Sequence, residues 1–257
     1  PFAYKTADGL VPFDEFVKYN TGQPNSIGTP LKPSTVVGHE GEYVTNVSTG
    51  FTRRASVNSH DWYGAVVNFN TQLTKNLILD FGVDARTYVG YHFRNINDRL
   101  GADVYFDNKD INNPNRYLYG TYSATPSFNP WTDVKSQEKI EYNNNGYVKW
   151  YGAFTQLEYS NDNLSAFFQG AISQQGFQRE DTFLYKTTDP LYKTDFENIL
   201  GGNVKGGVNY NINEQHNIFV NSGYYSKQPL FNAVYPNNKS IVGENLTNEK
   251  VLGLEAG

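Results

Sequence analysis

The chain has 257 residues, room for one or two domains, and its 26 acidic and 21 basic side chains give a net charge of −5 with no basic cluster. That excludes a phosphate-binding nucleic-acid surface. The lack of any Cys removes disulfide scaffolds, thiolate zinc sites and cysteine catalysis, and no apolar run approaches the roughly 20 residues of a membrane helix.

Aliphatic side chains are scarce while Tyr (20), Phe (17), Gly (23) and Asn (31) are abundant, the composition of an all-β protein with one apolar and one wet face. The chain starts on Pro1 and contains no Met, so it is expected to be an internal piece of a longer polypeptide.

In chain order, the first regular signal is Tyr63, Ala65, Val67, Phe69, Thr71 and Leu73 alternating with Gly64, Asn68, Asn70 and Gln72. The second runs from Leu77 to Phe93. Leu77, Leu79, Phe81, Val83, Ala85, Val89 and Phe93 take one parity, Asp80, Asp84, Arg86, Tyr88 and His92 the other. A strand sends successive side chains to opposite sides, so one face is apolar and the other charged. Seventeen residues is far beyond the usual five or six of a strand.

The pattern returns four times. Tyr151 to Tyr159 alternates with Gly152, Gln156 and Glu158; Leu164 to Ile172 alternates with Ser165, Gln169 and Ser173. Gly202 to Ile212 opposes Asn203, Lys205 and Asn209, and Ile218 to Tyr224 opposes Asn221 and Gly223. A seventh strand begins near Glu249. Connections at 74–76, 160–163 and 213–216 are short and rich in turn formers, whereas 94–144, 176–199 and 228–248 are long. Short turns alternating with long loops are the habit of membrane β-barrels, with the short turns on the periplasmic side.

The stretches RRASVNSHDWYGAVVNFNTQL (53–73), FGVDARTYVGYHFR (81–94), NGYVKWYGAFTQLEYSNDNLSAFFQGAIS (145–173), QHNIFVNSGYYSKQPLFNAVYPNN (215–238) and LTNEKVLGLEAG (246–257) resemble the barrel of TonB-dependent outer-membrane receptors, in the version with a carboxypeptidase-regulatory-like domain ahead of the plug. The resemblance implies an antiparallel transmembrane β-barrel of 22 strands, of which about seven are here. It also implies a plug and a TonB-box peptide outside this chain, and an outer-membrane location in a Gram-negative bacterium. Segment 1–52 is then an extracellular loop and strand end, and 53–257 part of the barrel. The implied partners are the TonB complex, reached through the N-terminal part, outer-membrane lipid, a small-molecule, peptide or glycan ligand and a surface lipoprotein. The implied activity is uptake of a scarce ligand with no bond broken, hence no enzyme and no cofactor.

Under this reading Asp80, Asp84, Arg86, His92, Arg94, Gln169 and Lys205 line the lumen. Arg116, Tyr117, Tyr119, Tyr122 and Trp131 are the loop candidates for ligand binding, because Tyr, Trp and Arg dominate binding hot spots; a self-packing loop core explains them equally well. The run Asp107-Asn108-Lys109-Asp110-Ile111-Asn112 offers oxygen donors for Ca²⁺ but lacks the glycine and closing glutamate of an EF-hand, so a polar surface loop is the default and no metal site is assigned. The histidines His39, His60, His92 and His216 form no metal-binding spacing. Two alternatives stand: a soluble, secreted all-β ligand-binding module, and a passive porin or adhesin barrel.

Overall fold

The computed structural model describes residues 4–129 and 131–257, so Pro1 lies outside the described residues. The elements in chain order are α1 (Phe13–Asn20), β1 (Val44–Thr45), β2 (Arg53–Thr74), β3 (Leu77–Asp98), β4 (Val104–Asp107), β5 (Arg116–Leu118), β6 (Ile140–Ser160), β7 (Leu164–Asp181), β8 (Glu197–Asn211), β9 (Asn217–Lys227), α2 (Phe231–Val234) and β10 (Glu249–Ala256). The fold is all-β. Its main sheet is a seven-stranded antiparallel meander ordered β10-β9-β8-β7-β6-β3-β2, and β1, β4 and β5 make a small second sheet.

The seven periodic segments are the seven strands of the meander, and several run longer than the alternation indicates. β3 continues to Asp98, β7 to Asp181, and β6 starts at Ile140. Polar residues fill both parities there, so the period-two signal fades while backbone pairing continues.

The chain divides into two compact units. The first comprises Pro1–Ser59, Tyr91–Asn145 and Asp181–Tyr192. Its core is Ile96, Tyr105, Leu118 and Ile140, with Phe93 and Val104 also fully buried. Helix α1 starts after Pro12 with Asp14 and Glu15 in its first turn, where carboxylates favour the helix dipole, and Lys18 Nζ reaches Glu15 at 2.6 Å. The buried Asn20 side chain ties its end down: Nδ2 donates to the carbonyls of Phe51 (2.7 Å) and Leu100 (3.0 Å), and Oδ1 accepts from the Phe51 N–H. In the small sheet β4 and β5 set Asp107 opposite Arg116, which makes their ion pair a cross-strand contact.

The second unit comprises His60–Gly90, Gly146–Glu180 and Lys193–Gly257. The register across its last four strands aligns one apolar face: Phe168, Gly206, Ser222 and Leu254 form a row, as do Ala166, Val208, Val220 and Ala256. The opposite face carries Gln169, Lys205, Gly223 and Gly253 in one row, and Phe167, Gly207, Asn221 and Glu255 in the next. Its buried cluster is small and comes from the β9–β10 connection, where Val234 and Tyr235 pack on Phe177, flanked by Val148, Ile199 and Phe231.

Candidate functional site

In the second unit the apolar face is the open one. Leu254 is 79% exposed, Ile172 61%, Phe81 46% and Val208 49%. The polar face is covered in part: Gln169, Lys205, Asn203 and Asn209 are half-buried and the Asp84 side chain is only 12% exposed, whereas Asn68, Asn70, Gln72, Arg86 and Ser165 are exposed. A water-soluble sandwich has the reverse arrangement, with the apolar side in its core. The edge strand β2 is less regular, because Trp62 and Val66 put exposed apolar side chains on the polar parity.

Polar pairs and rings line this face. Asp84 Oδ1 accepts from Arg86 Nε at 2.9 Å, Asn70 Nδ2 donates to Asp80 Oδ1 at 2.9 Å, and His60 Nδ1 lies 2.6 Å from the Tyr88 hydroxyl. Lys205 Nζ stands over the Phe167 ring at 5.9 Å. Phe154 lies across Gly82, where a Cβ would come within 2.5 Å of the ring; glycine is required there by close approach.

Two hollows open on this surface. One, of about 450 Å³, is lined by Trp150, Phe154, Ser173, Asn203, Tyr225 and Glu249 among others. The second, of about 760 Å³, has Gln156, Glu158, Phe167, Lys205, Asn221 and Glu255 in its wall. Such a lining donates and accepts hydrogen bonds and offers ring faces for stacking, the equipment for holding a polar ligand.

The long β9–β10 connection folds onto the same face. Phe177 shares the parity of Phe167 and Gln169, and it is the residue on which Val234 and Tyr235 rest. The Tyr235 hydroxyl is 2.8 Å from Thr194 Oγ1 and donates to the Phe177 carbonyl at 3.3 Å. Gly146 makes room for the Phe231 ring, which a Cβ there would meet at 2.9 Å. Gln228 Nε2 donates to Ser173 Oγ at 2.9 Å.

Of the sequence-predicted lining residues, Asp80, Asp84, Arg86, Gln169 and Lys205 lie in the second unit, and His92 and Arg94 in the first. Arg94 pairs with Glu141, which also pairs with Arg54 and accepts from the Tyr105 hydroxyl at 3.0 Å. His92 is half-buried.

The loop candidates separate. Tyr117 and Tyr119 meet His39 and Glu42: the His39 ring stacks on Tyr117 at 3.4 Å, His39 Nδ1 lies 2.7 Å from Glu42 Oε2, and the Tyr119 hydroxyl donates to Glu42 Oε1 at 3.1 Å. Arg116 is bonded to Asp107 Oδ2 (2.5 Å) and to the Lys139 carbonyl (2.7 Å). Tyr122 takes the Glu138 N–H on its hydroxyl, and Trp131 is 88% exposed on the loop surface. In the 107–112 run the buried Asp107 bonds Arg116, and the buried Asp110 Oδ1 accepts from the Asn112 N–H at 2.9 Å.

Sequence reasoning did not single out Trp150, Phe154 and Tyr225, whose aromatic character hid their polar-face parity. Nor did it connect His39 and Glu42 with Tyr119, about 80 positions away along the chain. Comparison with protein-family models, with curated protein sequences and with solved structures gives no match.

Proposed function

We propose that this chain is a portion of the barrel wall of a TonB-dependent outer-membrane receptor of a Gram-negative bacterium, whose apolar sheet face meets lipid and whose polar face lines the ligand path. The observation that carries the reading is the open, in-register apolar face, set against a charged, aromatic-studded face that is covered in part. Across seven strands about 4.8 Å apart and some 26 Å of apolar length, the open face covers roughly 750–870 Å², more than a typical soluble monomer leaves in water. The span from Leu164 to Ile172 covers eight steps, or about 19 Å along the membrane normal at a tilt near 45°, close to the roughly 25 Å apolar band of such barrels. β6 has 21 residues, about twice what crossing requires, so its Ile140–Asn145 end projects beyond the bilayer.

In lipid the outer edges of β2 and β10 cannot stay unpaired, because each open backbone group costs several kcal/mol there; further strands of the same polypeptide complete the wall. The ligand is a scarce compound (a metal chelate, glycan or peptide) held by the polar face and the long loops. Its passage draws on the TonB complex, and no bond in it is broken.

The absence of Cys allows a direct test with single cysteines introduced at Val208, Val220 and Leu254 on one face and at Asn209, Asn221 and Glu255 on the other. Spin labels on the first set are expected to relax with a lipid-soluble quencher, and those on the second with a water-soluble one. Equal access of both sets to the aqueous quencher, in a protein that stays soluble without detergent, would establish the secreted module in its place.

A further inference from the structure

The first unit contains a third hollow, of about 740 Å³, that shares only Arg94 with the lining set and nothing with the loop candidates. Its floor is aromatic: Phe16 and Phe51 stack with centroids 4.1 Å apart and planes 8° from parallel, and Phe13 meets Phe16 edge-on at 6.1 Å. Val11 and Leu100 extend the apolar wall.

Three arginines, Arg53, Arg54 and Arg94, are among the lining residues, and no acidic side chain is. Arg54 and Arg94 share one carboxylate, Glu141, which also serves the Tyr105 hydroxyl. Arg53 stands over the Phe13 ring, 5.3 Å from its centroid, and has no carboxylate in ion-pair reach among the described residues. Arg53 and Arg54 are neighbours on the terminal strand β2, so their side chains leave it on opposite sides and bracket its edge.

Cationic groups in excess around an apolar floor select one kind of guest. A neutral apolar molecule leaves Arg53 unanswered, and a bare small anion leaves the apolar wall uncovered. We propose that this hollow binds a small amphipathic carboxylate, its aromatic or aliphatic body against Phe13, Phe51 and the apolar wall and its carboxylate on Arg53, in the planar two-donor geometry that guanidinium offers. The site rests on the first unit alone and holds whether or not the membrane reading does.

The test uses the full 257-residue chain and three probes, followed by saturation-transfer NMR with titration: 4-phenylbutyrate, its neutral amide, and butyrate, which lacks the ring. Phenylbutyrate is expected to bind at least fivefold more tightly than either of the others. Arg53→Gln is expected to reduce phenylbutyrate to the level of the amide and leave amide binding unchanged, while Arg53→Lys keeps part of the preference. Equal binding of acid and amide, binding unaffected by Arg53→Gln, or no binding of any probe would each overturn the site. The quencher measurement on Val208 and Asn209 reports separately on the membrane reading, so the two can fail independently.

Discussion

Glu141 holds three donors on one carboxylate, those of Arg54, Arg94 and Tyr105, and does so from a left-handed backbone conformation with φ of 64°. A side chain other than glycine tolerates that conformation only when its surroundings fix it. Burial pushes the Glu141 carboxyl up, but the hydrogen bonds from Arg54 and Arg94 outweigh burial, and its pKa lies below the ordinary value. A carboxyl depressed on folding adds stability that is complete above its unfolded value, near 4.3, and disappears as pH falls through the lower folded value. The first unit is therefore expected to loosen as pH drops below about 5, and hydrogen exchange at Ile96 and Leu118 reads it. Glu141→Gln is expected to cost about 1–3 kcal/mol at neutral pH and to flatten that acid dependence, as measured by thermal unfolding across pH. If the variant kept the full acid dependence, the loosening would have to be assigned to other carboxylates. Glu141 was not legible in sequence: its partners stand at positions 54, 94 and 105, brought together only by the pairing of long strands. Arg94 was legible as a polar-parity residue, but its carboxylate was not.

Among the elements, strands and connections differ in how much the sequence discloses. The strands follow from alternation alone, because a sheet with one apolar face writes its parity into every second residue. The β9–β10 connection carries no period, and it reads in sequence only as a long loop. Its attachment to the polar face depends on a few side chains meeting across large separations, with Val234 and Tyr235 against Phe177 and Phe231 over Gly146. Val234→Asp, which sets a charge in a fully buried position, is expected to detach the connection while leaving the hydrogen-bonded strands in place. Limited proteolysis between residues 236 and 247 should then quicken at least tenfold. Tyr235→Phe, which loses only the hydroxyl contacts to Thr194 and Phe177, is expected to cost about 1 kcal/mol and to leave the segment attached. Equal cleavage of Val234→Asp and the unaltered chain would mean that the connection is held by other contacts, such as that of Gln228 with Ser173.

At the scale of the whole molecule, one pair of adjacent positions separates the two environments. Val208 and Asn209 are consecutive in β8 and face opposite sides, Val208 in a row with Ala166, Val220 and Ala256, Asn209 in a row with Ser165 and Phe219. If the apolar face lies in lipid, Val208→Lys places a charge in the hydrocarbon band at a cost of about 2–4 kcal/mol near the midplane, whereas Asn209→Lys adds one more cation to a wet wall. Folding into lipid vesicles, read by heat-dependent migration on gels, should fall sharply for the first variant and be nearly unchanged for the second. Water on both faces predicts the opposite order: Val208→Lys would then improve solubility by breaking up an exposed apolar patch, and neither variant would respond to lipid. The two substitutions introduce the same side chain on the same strand one residue apart, so the added charge is the same in both. The response to lipid then reports the solvent on each side of the sheet, and the outcome decides whether the open apolar face is a membrane surface.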